Sequence, residues 1–319
     1  MSELKKRPLI IDCDPGEDDA IAIFMMLAAP EFEVLGLCPV NGNKPLAMTE
    51  KNALKLLELA KRDIPVLKGA RKAIFRDQRD AGNIHGSTGL GVDLPEPEKK
   101  VSDQHAWDFY YEMACRYPGE LEILAIGPLT NLAITMIKYP DFAEKVKVLS
   151  VMGGCNGVGN YGNPAAEFNI WADPDAAKMV FAAGIPMAMM GLDICFRACL
   201  TPERVRELEE AGTPVCSAAA QLVGKRVEGG LRRGFAGAVV CDAVAAAWLI
   251  DPSVLTTETV NVDVETTAQM TEAKTVITRF WTEHVTKKAN CELGLDADTE
   301  RYGALVVRLL KDLDASIGA

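Results

Sequence analysis

Short apolar runs, each closed by a turn and followed by a helical pattern, narrow the possible folds more than any other feature of the chain. LIIDC (9–13) is followed by DDAIAIFMMLAA (18–29), and EVLGLCPV (33–40) by helical spacing across 45–61. LEILAI (121–126), VKVLSVM (146–152) and PMAMM (186–190) continue the series, with helices expected near 128–138 and 174–183. Strands alternating with helices predict a parallel sheet covered on both faces. Runs that are apolar throughout, not only at every second residue, fit strands buried on both sides. The pattern over 201–250 is helical, 258–280 reads as hairpin material, and a terminal helix is expected over 297–313. Residues 69–100, rich in Gly, Pro and charge, read as a long functional loop. With no repeat and no low-complexity linker, the expected fold is α/β: a single domain over 1–319. Its mostly parallel central sheet is flanked by helices, with a rim of helical and loop insertions.

Composition removes several function classes. The chain holds 45 Asp and Glu against 34 Lys and Arg, a formal net charge of −11. That surplus repels phosphate backbones, so no nucleic-acid partner is expected. Nine cysteines, an odd number with no CxxC pair, argue against a disulfide framework or a zinc ribbon. MSELKKRPLIID has no apolar signal-peptide core, and runs such as AIAIFMMLAAP (20–30) are too short to span a bilayer. The expectation is a cytoplasmic protein with no membrane partner.

DCDPGEDDA (12–20) sets Asp12, Asp14, Asp18 and Asp19 within eight residues at the end of the first strand. Pro15 and Gly16 suit a tight turn, and one of the acids can cap the helix that follows, worth about 1 kcal/mol. Capping accounts for one carboxylate, not four, because packed like charges repel and raise one another's pKa. A hard cation with all-oxygen ligands, Ca²⁺ or Mg²⁺, resolves the conflict. In open parallel sheets the functional crevice lies at the carboxyl ends of strands, where this cluster falls. Asp-x-Asp after a first strand also occurs in Mg²⁺ phosphohydrolases of the haloacid dehalogenase type. There a small hydroxyl residue follows two positions after the second Asp, and here that position is Gly16.

The whole string resembles DxDPGxDDA, the signature of the nucleoside hydrolases, the inosine-uridine-preferring N-ribohydrolases. VNGN (40–43), IHG (84–86), GPLTNLA (127–133), VMGG (151–154), AEFNIWADPDAA (166–177) and CDAVAAAWLIDP (241–252) follow in that family's order. The likeness spans about 10–310, and several co-linear blocks are far more specific than one motif. It implies Ca²⁺-dependent hydrolysis of the N-glycosidic bond of a ribonucleoside, the ion holding the ribose 2′- and 3′-hydroxyls and the attacking water. It also implies a homodimer or homotetramer and a place in purine and pyrimidine salvage.

By position, the resemblance makes Asp14, Asp19, Asp242 and the Ile126 carbonyl the metal ligands. Asp14 becomes the general base, Asp18 a ribose acceptor, and Asp12 a brace for the cluster. Asp242 has an argument of its own: it interrupts the apolar stretch GAVVCDAVAAAWLI, and a lone buried carboxylate is costly unless paired. Its plain alternative is an N-cap. Asn43 sits in Asn-Gly-Asn, a turn former, and beside the crevice its amide suits a sugar hydroxyl. Glu167 and Asn169, two apart, would point one way from an extended segment, with Phe168 and Ile170 turned into packing. The resemblance makes the first two clamps on the ribose 3′- and 5′-hydroxyls, and places Met152 and Phe168 among the substrate-binding residues.

Gly157, Gly159 and Gly162 form a literal GxGxxG, but Pro164 and an extended AEFNI stand where a dinucleotide fold needs a helix. A loop over the pocket is expected instead, with Asn160, or else Asn163, toward the ribose 5′-hydroxyl. His85, in IHG, matches a family position near the nucleobase. Cys241 is the departure. The best-known branch of the family has a His here that protonates the departing purine, and a thiol in an apolar helix is ordinarily packing. Catalysis at C1′ is therefore expected to survive while leaving-group activation changes. Two alternatives stand beside this: a non-catalytic nucleoside or ribose sensor on the same scaffold, and a Mg²⁺ phosphohydrolase.

Overall fold

The first apolar run forms β1 (Arg7–Cys13), whose alternate residues serve two cores: Leu9, Ile11 and Cys13 join one, Ile10 the other. A strand covered on both faces requires this division. The computed structural model describes residues 5–79, 81, 88–157, 159–160, 164–279 and 287–318. After β1 come α1 (Glu17–Ala28), β2 (Phe32–Pro39) and α2 (Leu46–Leu59). α3 (Ala106–Arg116), β3 (Leu121–Ala125), α4 (Thr130–Lys138) and β4 (Val146–Met152) carry the chain across the sheet. They are followed by α5 (Phe168–Ala172), α6 (Pro174–Ala182), β5 (Met187–Met190) and α7 (Leu192–Cys195).

The region 201–250, expected to be helical throughout, is divided. After β6 (Cys199–Leu200) come α8 (Pro202–Ala211) and α9 (Pro214–Arg232), then β7 (Ala238–Val239) and α10 (Cys241–Ile250). Thr201 caps α8, Gly212 ends it in the left-handed conformation, and Pro214 opens α9, so the breaks follow ordinary punctuation. The expected hairpin material is β8 (Leu255–Val264) and β9 (Thr275–Thr278), antiparallel to one another. β10 (Cys291–Ala297) and α11 (Thr299–Gly318) close the chain. Neither α3 nor β10 was anticipated; CELGLDA is too short and mixed to signal a strand outside its slot between β5 and β8.

The sheet runs β2-β1-β3-β4-β5-β10-β8-β9. Every pairing from β2 to β10 is parallel, and only β8 and β9 run against their neighbours. The expected mostly parallel α/β architecture is what forms. α1, α9, α10 and α11 pack into the core on one face and α3, α4 and α6 into that on the other. No helix among the described residues is long and apolar enough to cross a membrane.

Candidate active site

β2 and β3 flank β1 on opposite sides, so successive crossovers diverge there and leave a crevice beyond the strand ends. Residues following four carboxyl ends converge on it: Asp14 after β1, Asn43 after β2, Ile126 after β3, and Met152 closing β4. Asn43, Ile126 and Met152 line a cavity of about 570 Å³, a volume suited to a small organic ligand.

The turn after β1 is held by its own acids. Asp19 accepts from the backbone N–H of Asp14 (3.0 Å) and of Gly16 (2.9 Å), and from the Asn43 side-chain amide (3.2 Å). Asp14 Oδ2 accepts the Asn43 backbone N–H at 2.6 Å, while its Oδ1 is buried without a hydrogen-bond partner. Gly42 permits this closeness, because a Cβ there would lie 2.1 Å from Asp14 Oδ2. Asp12 braces from below, accepting from Tyr110 Oη (2.8 Å) and Asn131 Nδ2 (3.0 Å).

Carboxylate oxygens of Asp18, Asp19 and Asp242 lie within 4.8 Å of one another. The tightest acidic trio therefore includes Asp18, which the sequence reading assigned to the ribose, and not Asp14. Burial, then repulsion from Asp18, pushes Asp19 up to about 7. Burial, then Asp18, Asp19 and Asp14 in turn, holds Asp242 well above the carboxylate range. Asp14 is raised likewise, by burial and then Asp19. Asp14, Asp19 and Asp242, each raised, with Asp18 beside them, make a floor suited to a proton or a cation.

The wall from 153 to 170 corrects the expected geometry. Glu167 and Asn169 do not alternate along an extended segment. Glu167 is the N-cap of α5, its Oε2 accepting from the N–H groups of Asn169 (2.9 Å), Gly154 (3.1 Å) and Ile170 (3.4 Å). Phe168, on the first helical turn, does both: it packs with Ala172 and Trp171 and also lines the cavity beside Asn169. Asn169 Nδ2 donates to the carbonyls of Ile126 (3.0 Å) and Met152 (3.1 Å), tying the wall to the strand ends. Asn160 also lines the cavity and fixes the turn by accepting the Phe168 N–H at 3.1 Å. Asn163 and His85 lie outside the described residues.

The opposite wall comes from α9 and α10. Asp242 does not interrupt a helix and is not its N-cap, which is Val240; it is the second residue of α10 after the short β7. Cys241 lines the cavity beside it. Sequence reasoning missed Glu17, Phe196, Lys225, Arg226 and Arg233, all of which line the same space. Arg226 donates to Glu17 (2.8 Å) and Asp18 (3.4 Å). Burial opposes its charge, but Asp18 and Glu17 outweigh that and keep the guanidinium protonated. The available signal was Lys225, Gly229 and Arg233 at four-residue spacing, along a helix and its C-cap whose partner surface no local pattern discloses.

The inosine-uridine preferring nucleoside hydrolase family matches residues 9–304. The pyrimidine-specific ribonucleoside hydrolase RihA of Klebsiella pneumoniae is 38% identical over 308 residues, covering 95% of this chain and 98% of that one. A plant nucleoside hydrolase superposes with a TM-score of 0.86 at 30% identity, over 96% of this chain and 99% of its own. The purine-preferring ribonucleoside hydrolase of Gardnerella vaginalis reaches a TM-score of 0.89 at 27% identity, over 97% and 99% of the two chains. With the acidic turn, the strand-end crevice and the α5 wall in that order, the chain belongs to the inosine-uridine preferring nucleoside hydrolase family and is a ribonucleoside hydrolase.

Proposed function

We propose that this cavity hydrolyses the N-glycosidic bond of a ribonucleoside to ribose and free base, with Asp14 as general base above a Ca²⁺-binding floor. The observation that carries the reading is Asp14 Oδ1, a buried oxygen without a hydrogen-bond partner beside a three-carboxylate cluster. An unpaired anionic oxygen there is costly unless a cation or a proton joins it. The all-oxygen donor set fits a hard divalent ion: Asp14, Asp19, Asp242 and the Ile126 carbonyl would hold it, with Asp18 beside them. When bound, the ion neutralises the floor and acts as a Lewis acid toward the oxygens it touches.

The chain's own groups do the rest. The Asn43 N–H occupies Asp14 Oδ2, which leaves Oδ1 as the atom to take a proton from the attacking water. As the C1′–N bond loosens, positive charge grows on the ribosyl ring and the acidic floor stabilises it. Asn43, Asn160, Glu167 and Asn169 are polar groups fixed by backbone contacts and suited to ribose hydroxyls; a sugar lacking one hydroxyl strands a buried partner. Met152 and Phe168 supply the apolar contact. Family resemblance alone supports a cytoplasmic homodimer or homotetramer in nucleoside salvage. The named preferences of the relatives divide between pyrimidine and purine, so this reading extends to ribonucleosides as a class.

The test is ribose release from a panel of purine and pyrimidine ribonucleosides, before and after chelation. Chelation should abolish turnover, and added Ca²⁺ should restore it. Full activity in a chelated protein free of calcium overturns the metal assignment, and nucleoside binding without turnover returns the sensor reading.

A further inference from the structure

The reaction needs something on the base side of the cavity to receive the electron pair of the breaking bond. Among the described residues lining the cavity there is no histidine and no tyrosine, and the group preceding Asp242 is the thiol of Cys241. The α9 wall carries three cations instead, Lys225, Arg226 and Arg233. Lys225 and Gly229 on α9 and Arg233 at its C-cap follow one another at four-residue spacing, and all three line the cavity with Cys241 and Asp242. A Cβ at Gly229 would meet nothing within 4 Å, so the glycine leaves a gap between Lys225 and Arg233.

The charges of Lys225 and Arg233 are not spent on neighbours. Arg226 is bound to Glu17 and Asp18, but Arg233 pairs with no carboxylate among the described residues, and its Nε donates only to the Gly229 carbonyl at 3.3 Å. Lys225 Nζ donates to the neutral carbonyl of Gly91 at 2.7 Å. The Arg233 guanidinium lies 5.3 Å from the centre of the Phe235 ring, which stacks at 4.8 Å on Phe196, itself part of the cavity wall. Lys225 and Arg233 are both exposed at the rim, and the Phe235 ring gives Arg233 a weak cation–π contact there.

We propose that Arg233, assisted by Lys225, is the leaving-group residue of this hydrolase, a permanent cation at the exposed rim that stabilises the departing base as an anion. The inference rests on the site reading above. The C1′–N bond breaks with its electron pair going to the base, the water oxygen bonds C1′, and the water proton passes to Asp14. The base leaves as an anion spread over ring nitrogens and exocyclic oxygens, and then takes up the proton that Asp14 returns to solvent. Arg and Lys are donors only, so they receive this charge through N–H groups without giving up a proton. Turnover should therefore rise with the acidity of the departing base, and an exocyclic amino group facing these donors should be disfavoured.

The experiment compares uridine and inosine with 4-nitrophenyl riboside, whose leaving group needs little help, in wild type, Arg233→Met, Arg233→Lys and Arg233→Ala. For Arg233→Met, the loss in kcat/KM on the better natural nucleoside should exceed the loss on the nitrophenyl substrate at least tenfold. Arg233→Lys should fall between, and added guanidinium should restore part of the Arg233→Ala rate on the natural substrate alone. Arg232→Met, whose side chain is exposed and pairs with Glu228, controls for surface charge and should change neither rate. Equal losses on both substrate classes, or none on either, overturns the proposal. Asp14→Asn tests the underlying site separately: retained turnover of the nitrophenyl riboside sinks the base assignment, whatever Arg233→Met does.

Discussion

Glu167 combines two roles that its substitutions can separate. It is fully buried, its Oε2 holds three backbone N–H groups, and burial raises its carboxyl from an ordinary 4.5 to about 7 against their pull. Because the folded pKa lies above the unfolded one, the native chain keeps a proton that the unfolded chain has released. Its contribution to stability is thus complete below about pH 4.5 and lost as pH rises through about 7, a change of about 3 kcal/mol at 1.36 kcal/mol per unit. Glu167→Gln retains an acceptor for the backbone and cannot ionise, so that fall should vanish. Glu167→Ala loses the cap, about 1 kcal/mol, and leaves buried N–H groups unpaired, for a total of about 2–4 kcal/mol. With an unfolding entropy near 2.1 cal/mol/K per residue, that is a drop of about 3–6 °C in Tm. Thermal unfolding of the three proteins at pH 4.5, 6 and 8 reads both effects. The Gln variant should gain on wild type as pH rises, yet lose about 10- to 100-fold in kcat/KM if Glu167 also hydrogen-bonds the ribose. An Ala variant as stable as the Gln variant, or parallel pH profiles for Gln and wild type, would refute the reasoning.

Asp14→Asn should lower turnover by orders of magnitude on every nucleoside with little change in Tm at neutral pH, checked by steady-state ribose release. Asp242→Ala should abolish turnover of 4-nitrophenyl riboside while Cys241→Ala keeps most of it; equal damage from the two places the thiol in the ribosyl chemistry itself. Gly42→Ala sets a methyl 2.1 Å from Asp14 Oδ2 and 2.8 Å from Pro128, neither at the end of a flexible chain. A well-folded Gly42→Ala protein with wild-type kcat would mean that the turn is looser than described. Gly229→Ala, which meets nothing within 4 Å, should instead stabilise α9 by about 0.5–1 kcal/mol, read as a higher denaturation midpoint.

How much of this molecule is legible without its tertiary structure depends on the range of the interactions involved. Apolar runs such as LIIDC and VKVLSVM specify strands buried on both faces, and Thr201, Gly212 and Pro214 mark helix boundaries through local backbone preference. DCDPGEDDA places its acids beside the first strand end, because a turn between strand and helix is itself a local object. Beyond that range the reading loses force. Glu167 and Asn169, two apart, fit a strand or a capped turn equally well; Glu167 caps α5 through Asn169 and Ile170 and is also held by the N–H of Gly154, thirteen residues away. Asp242 reaches the acidic floor only because β7 ends where α10 packs on α1, which no pattern in GAVVCDAV reveals. β10 becomes a strand because β5 and β8 leave an unpaired slot between them, backbone hydrogen bonding that its seven residues cannot supply alone. The cationic wall of α9 is the clearest case: charges on a helix face read as solvated until the fold turns that face onto a cavity, where their partners, or the lack of them, give them a role.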